Sequence, residues 1–214
     1  MTGDRGVSGL KFHVSNSEIL GLETLAYRSL SLVASTDLVT YHLLLKQGVC
    51  MGMRIGTEMP ALDGATEWLG TTQAHAEATA KGHATIVHFW SVSCGVCKEN
   101  LPRIAEWRDE RHAQGLRVIA VHMPRYEADT DVEAVRDAVA LNKITEPCAI
   151  DNEHKLRDAF QNDQGYVPAY YLFDAEGKLR SFAAGERGLD LLKATLERIL
   201  GPLVEETEVV SASL

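Results

Sequence analysis

Cysteine is scarce in this chain: 214 residues carry four, at positions 50, 94, 97 and 148. That density excludes a small disulfide-stapled scaffold, in which bridges stand in for a hydrophobic core. Excess positive charge is missing too. Lys and Arg number 21 against 30 Asp and Glu, a formal net charge of −9. A protein whose main partner is nucleic acid needs a basic face to neutralise phosphates, so that class of function is set aside. Nor is there an uninterrupted apolar run of membrane length. Residues 20–45 are rich in Leu and Val, but Glu23, Arg28 and Asp37 interrupt them. A spanning helix needs roughly 20 consecutive, mostly apolar residues, so no membrane insertion is expected. What is present is ordinary: 45% hydrophobic and 24% charged residues, with length for one substantial domain and its core.

Residues 1–52 differ in character from the rest of the chain. Lys11 precedes a broken apolar run, which is not the pattern of a secretory signal. Cys50 comes after Lys46-Gln47-Gly48-Val49, which lacks the leucine and small-residue pattern of a lipidation site. Two readings fit this segment. It is a weakly structured extension with one or two amphipathic helices, or the natural start lies at Met51 or Met53. The second is preferred, because domain-like signals begin only at Arg54-Ile55-Gly56. A cytoplasmic location is expected on the same grounds.

From residue 53 onward the chain alternates strand and helix signals. The run 73–81 is Ala-rich and helical, and Gly82 ends it. Residues 84–90, Ala-Thr-Ile-Val-His-Phe-Trp, form an apolar, β-branched run of the kind buried on both sheet faces. A helix comes next, with Leu101, Ile104 and Trp107 on one face and Pro102 inside it; Gly115 stops it. Residues 116–123 are a second buried strand. Asp131 caps a helix bearing Val132, Val135 and Val139. A short strand at 148–150 leads to Asp151 or Asn152, either of which can cap a helix holding Leu156 and Phe160. Residues 166–173 and 178–183 flank the turn Asp174-Ala175-Glu176-Gly177 as an antiparallel hairpin. The last helix turns Leu189, Leu192, Leu196 and Ile199 inward and ends at Gly201-Pro202. Residues 202–214 read as a flexible acidic tail. The order predicts an α/β domain over 53–201, with a mainly parallel central sheet, a closing antiparallel hairpin and helices on both faces.

The chemistry is concentrated at Cys94-Gly95-Val96-Cys97, where a strand runs into a dithiol that opens a helix. A structural zinc site usually needs four ligands in two close pairs, and neither Cys50 nor Cys148 supplies a second pair. The thiolate is the reactive form of cysteine, and a helix N-terminus favours it through free N–H groups and the helix dipole. Cys94 is therefore expected to be the exposed nucleophile. Cys97, one turn on and more buried, is expected to resolve the mixed disulfide. Cys148 reads as a small buried residue and His122 as structural.

The stretches 88–99, Val121-His122-Met123-Pro124-Arg125 and Val167-Pro168-Ala169-Tyr170-Tyr171 together carry a family resemblance. Residues of about 54–201 resemble a thioredoxin-like thiol-disulfide oxidoreductase of the TlpA/ResA-type branch. The resemblance implies a thioredoxin-like fold, an oxidoreductase that reduces or exchanges protein disulfides, and no cofactor beyond the Cys94–Cys97 couple. It implies a monomer working between protein substrates and an upstream dithiol or reductase donor. It also implies a cis Pro168 opposite the dithiol, with Val167 beside it, whose backbone pairs with the substrate chain. Trp90 is expected to pack beneath the active-site loop. His88 either relays protons to Cys97 or is a strand histidine satisfied by a neighbour. Lys98 either assists the thiolate or is solvated. Arg125 and Tyr126, after a strand's C-terminal end, either shape a substrate groove or form an exposed loop. The chain departs from thioredoxins in having Ser93 where they have Trp, Val96 where they have Pro, and His88 where they have a buried Asp.

Other classes compete. A TlpA-type reductant of cytochrome maturation keeps the fold but acts outside the cytoplasm. A peroxidase of the peroxiredoxin type needs Pro and Thr where Val87 and Ser91 stand. A non-catalytic module could use the dithiol to bind copper(I) or zinc.

Overall fold

The computed structural model describes residues 52–203. The expected extension and tail lie outside the described residues, apart from Gly52, Pro202 and Leu203. So do Cys50 and the choice between Met1, Met51 and Met53 as a start. The described residues form, in order, β1 Glu67–Leu69, α1 Gln73–Ala80, β2 Ala84–Trp90, α2 Gly95–Glu110, β3 Leu116–His122, a 3-10 turn Glu127–Thr130, α3 Val132–Leu141, β4 Cys148–Ile150, α4 Lys155–Ala159, β5 Ala169–Phe173, β6 Leu179–Ala184 and α5 Gly188–Leu200.

These strands make one mixed sheet in the order β1-β4-β3-β2-β5-β6. Its centre, β4-β3-β2, is parallel, and β5-β6 is the antiparallel hairpin read from the sequence. The sheet gains a second antiparallel edge where β1 pairs with β4, Glu67 opposite Ile150. Sequence patterning does not mark residues 67–69 as a strand, since a three-residue edge strand is set by its partner and not by its own periodicity.

The all-apolar look of β2 reflects burial on both faces. Ile86 and Trp90 point to one core layer with Leu101, Ile104 and Trp107 of α2 and Leu189, Leu192 and Leu196 of α5. Val87 and Phe89 point to the other, with Ala76 and Ala80 of α1, Leu156 of α4 and Phe160 just after it. Alternation along one strand thus fills two layers. His88 is the polar exception, on the same face as Trp90 and fully buried. Asp131 caps α3 by accepting from the Glu133 and Ala134 N–H groups. Asp151 serves α4 from outside the helix, accepting from Leu156 and Arg157 N–H at 3.0 and 2.8 Å, while His154 takes the left-handed cap position at φ 59°. At the far end of α2, Gly115 takes φ +94°, where a side chain would strain the backbone. The parallel strands β2 and β3 both end at the edge from which α2 starts, and this geometry positions the site.

Candidate active site: a dithiol at a strand–helix junction

Beyond Trp90 the chain passes through 91–93 and reaches Cys94, the N-cap of α2. An N-cap side chain usually offers oxygen to a first-turn N–H. Here sulfur takes that place, and the Cys97 N–H donates to Cys94 Sγ at 3.1 Å. Cys97 lies one turn on, and the two sulfurs are bonded, with Cα atoms 5.3 Å apart. The protein is therefore described in its oxidised form. Facing this disulfide, the Val167–Pro168 peptide bond is cis, as the resemblance implied. The Val167 carbonyl oxygen lies 3.7 Å from Cys94 Sγ. A disulfide sulfur carries no proton, so this is a contact here; in the dithiol the carbonyl is within reach of the Cys94 S–H.

One expectation fails. Cys94 and Cys97 are each 2% exposed, so exposure does not separate nucleophile from resolving thiol in this state. The Cys94 sulfur turns inward to bond Cys97 and accept its N–H, and the Val167 carbonyl lies against it. The distinction rests on electrostatics instead. Only Cys94 sits at the helix cap and receives a helix N–H, and that arrangement stabilises its thiolate.

The loop before Cys94 is tied down by a residue that sequence reading passes over. A single oxygen of Asp129, Oδ2, accepts from Ser93 Oγ at 2.7 Å, Ser91 Oγ at 2.8 Å, Arg125 N–H at 2.9 Å and Tyr126 N–H at 3.3 Å. Burial opposes ionisation, but these four donors hold the carboxyl below its ordinary 3.8. Asp129 thereby joins the dithiol loop to the loop after β3. The sequence shows Glu127, Asp129 and Asp131 alternating along one loop, with nothing to mark the middle one as buried.

On the face of β2 that carries Trp90, His88 Nε2 lies 3.1 Å from Glu146 Oε1, and Glu146 Oε2 accepts from Arg108, in the last turn of α2, at 2.6 Å. Both His88 and Glu146 are buried. Burial alone would raise the Glu146 carboxyl; His88 and Arg108 reverse this and bring it down to about 2. Glu146 sits between α3 and β4 and reads in sequence as a loop acid. Only folding shows that it satisfies His88, 58 residues away.

His122 ends β3 and packs edge-on against Trp90, ring centroids 5.1 Å apart. Its Nε2 accepts the Val92 N–H at 3.4 Å, which places the proton on Nδ1, and Nδ1 has no partner among the described residues. Burial lowers this imidazole from 6.5 to about 4, with Asp129 partly opposing the shift. The folded pKa is depressed, so the stability it contributes is present above pH 6.5 and is lost as pH falls towards 4. At about 1.4 kcal/mol per unit, roughly 2 kcal/mol disappears between pH 7 and 5. Urea unfolding at these two pH values should show that loss in the wild type and a markedly smaller one in His122→Asn.

Trp90 is buried in the core layer that also holds Cys94 and Cys97, as expected of a packing residue. Cys148 is a buried free thiol, pushed up to about 12 mainly by burial, so it is no second nucleophile. Lys98 is exposed on the first turn of α2, and its ammonium makes no ion pair among the described residues. Arg125 and Tyr126 are exposed next to the Asp129 clamp. Among the described residues no group of three or more His, Cys, Asp or Glu side chains is arranged to hold a metal.

A disulfide at a helix N-cap, facing a cis X-Pro bond on a mixed sheet with helices on both faces, defines a thioredoxin-like dithiol oxidoreductase. Known proteins agree. The family model described as "AhpC/TSA family" matches residues 55–182. The thiol-disulfide oxidoreductase YkuV of Bacillus subtilis (strain 168) is 42% identical over 148 residues, which is 69% of this chain and 97% of that protein. The sporulation thiol-disulfide oxidoreductase A of the same organism is 26% identical over 117 residues, 55% of this chain and 68% of that protein. A solved structure, the solution structure of a thioredoxin-like protein in the oxidised form, is 42% identical, with a TM-score of 0.62, covering 69% of this chain and 97% of that one. The chain belongs to the AhpC/TSA family, and within it to the thioredoxin-like thiol-disulfide oxidoreductases related to YkuV and ResA.

Proposed function

We propose that the protein reduces disulfides in other proteins, with Cys94 attacking and Cys97 resolving. In the reduced form the Cys94 thiolate attacks one substrate sulfur, and the substrate disulfide breaks as a mixed disulfide forms. One substrate thiolate leaves and takes up a proton. Cys97, deprotonated, then attacks Cys94 Sγ, forms the Cys94–Cys97 disulfide described here and releases the second substrate thiol. Two electrons and two protons pass to the substrate, and an upstream dithiol returns the protein to its reduced form. The two sulfurs carry the electrons, so the reaction needs no separate cofactor.

The observation that carries this reading is the Cys97 N–H donated to Cys94 Sγ at the start of α2, with Val167–Pro168 opposite. The Val167 carbonyl lies 3.7 Å from the sulfur that attacks, and an extended substrate segment can pair with the backbone there. A monomer in the cytoplasm belongs to the same proposal. Its support is the sparse cysteine usage, which suits a reducing compartment. Peroxide reduction is the less favoured chemistry, because Val87 and Ser91 replace the Pro and Thr that it uses.

Insulin with dithiothreitol as donor tests the reading: the wild type should speed insulin reduction at least about tenfold over dithiothreitol alone. Fast peroxide consumption with no gain on insulin overturns it.

A further inference from the structure

Beside the dithiol lies a groove of about 300 Å³ whose walls include Pro124, Arg125, Tyr126, His154, Arg157 and Gly165. Two connections tie it to the site. Arg125 and Tyr126 are held through their backbone N–H groups by the same Asp129 oxygen that holds Ser93, the residue before Cys94. Gly165 lies two residues before Val167, whose carbonyl is 3.7 Å from Cys94 Sγ. The groove is thus walled on one side by the two loops that flank the disulfide and on the other by His154 and Arg157 at the start of α4. Two residues of chain reach at most ~7 Å, so a substrate extending from Cys94 enters the groove within about four residues.

The charge of this groove is opposite to that of the protein. The chain carries a net −9, yet the groove wall carries two arginines, a histidine and a tyrosine and no carboxylate. The Arg125 guanidinium makes no ion pair among the described residues and sits 5.4 Å from the centre of the Tyr126 ring. Arg157 reaches one oxygen of Asp158, through Nε at 2.9 Å and one terminal nitrogen at 2.7 Å, and its other terminal nitrogen has no partner among the described residues. Two acids connect to this wall: Asp158, which pairs with Arg157, and Asp129, whose Oδ2 is already occupied by four donors.

We propose that this groove is a substrate subsite for an acidic segment: a partner protein carrying Asp or Glu within about four residues of the cysteine that Cys94 attacks. The inference rests on the exchange reaction proposed for Cys94 and Cys97 and adds its specificity. Arg125 supplies an uncommitted planar fork suited to a carboxylate, and Arg157 supplies a second cation. Against the net negative charge of the chain, this cationic groove sets orientation and on-rate more than intrinsic affinity.

The test uses disulfide-linked homodimers of one short peptide, with Glu, Gln or Lys at the two positions nearest its cysteine. Single-turnover rates are measured with the fully reduced protein at low salt, the Gln peptide being the reference within each protein. The wild type should take the Glu peptide about fivefold faster than the Lys peptide, a preference that shrinks at 0.5 M salt. Arg125→Glu combined with Arg157→Glu should bring the ratio to one or invert it, and Arg125→Lys should keep its sign. Equal Glu and Lys rates in the wild type, or an unchanged ratio in the double variant, overturn the subsite. Failure of all three peptides to react with the wild type points instead to the exchange reaction itself.

Discussion

Cys94→Ser is expected to bring disulfide exchange to the uncatalysed rate, a loss on the order of a thousandfold or more. A hydroxyl in the same place receives the same helix N–H but does not ionise near neutral pH, and only a thiolate attacks a disulfide. Cys97→Ser should behave differently. It loses multiple turnover to a similar degree, because nothing resolves the mixed disulfide, yet it keeps the first attack. Alkylation by iodoacetamide separates the two sulfurs further. With the N-cap hydrogen bond from residue 97 retained, Cys94 in Cys97→Ser should titrate well below 8.5, within about 3.5–7.5. An unshifted profile near 8.5 contradicts the role given to the helix terminus.

The second large effect falls on stability. Glu146→Ala removes the carboxylate from between buried His88 and partly buried Arg108, leaving a buried polar group without its partner. Breaking such a pair costs about 3 kcal/mol or more. For a domain of this size that is a fall in Tm of roughly 6–12 °C. Glu146→Gln keeps an acceptor for one neighbour and should lose about half as much. The sign with pH comes from the depressed carboxyl. Its contribution is complete above its ordinary 4.5 and is lost as pH falls towards about 2. The gap between wild type and Glu146→Gln should therefore be widest at neutral pH and narrow by pH 3. A constant gap would mean that packing, and not the charge of Glu146, holds the site together.

The Cys94–Cys97 disulfide pair was legible in the sequence because all its signals are local: a buried strand, two cysteines at helical spacing, and the helix after them. Strands 84–90 and 148–150 coincide with the expected runs for the same reason. Composition gave no hint of the cis bond at Pro168, which came only from resemblance; proline alone is cis in a few per cent of cases. What stayed hidden depends on distant partners. β1 exists because β4 accepts it, about eighty residues later in the chain. Asp129 and Glu146 are buried anions, and a buried anion looks in sequence like any surface acid until its donors are placed around it. His88 was readable as a polar residue in a buried strand, but its partner Glu146 was not. The burial of Cys94 also escaped prediction, since a helix cap suggests exposure and the Val167 carbonyl facing it arrives from another loop.

The attack by Cys94 is tested most directly by trapping. Reduced Cys97→Ser is mixed with an oxidised protein substrate, quenched with acid and digested for peptide-resolved mass analysis. The expected result is a dithiothreitol-sensitive adduct on the Cys94 peptide, with none on Cys148 and none when Cys94→Ser is used with Cys97 intact. An adduct carried mainly by Cys97 in the Cys94→Ser variant, or no adduct on Cys94, would contradict it.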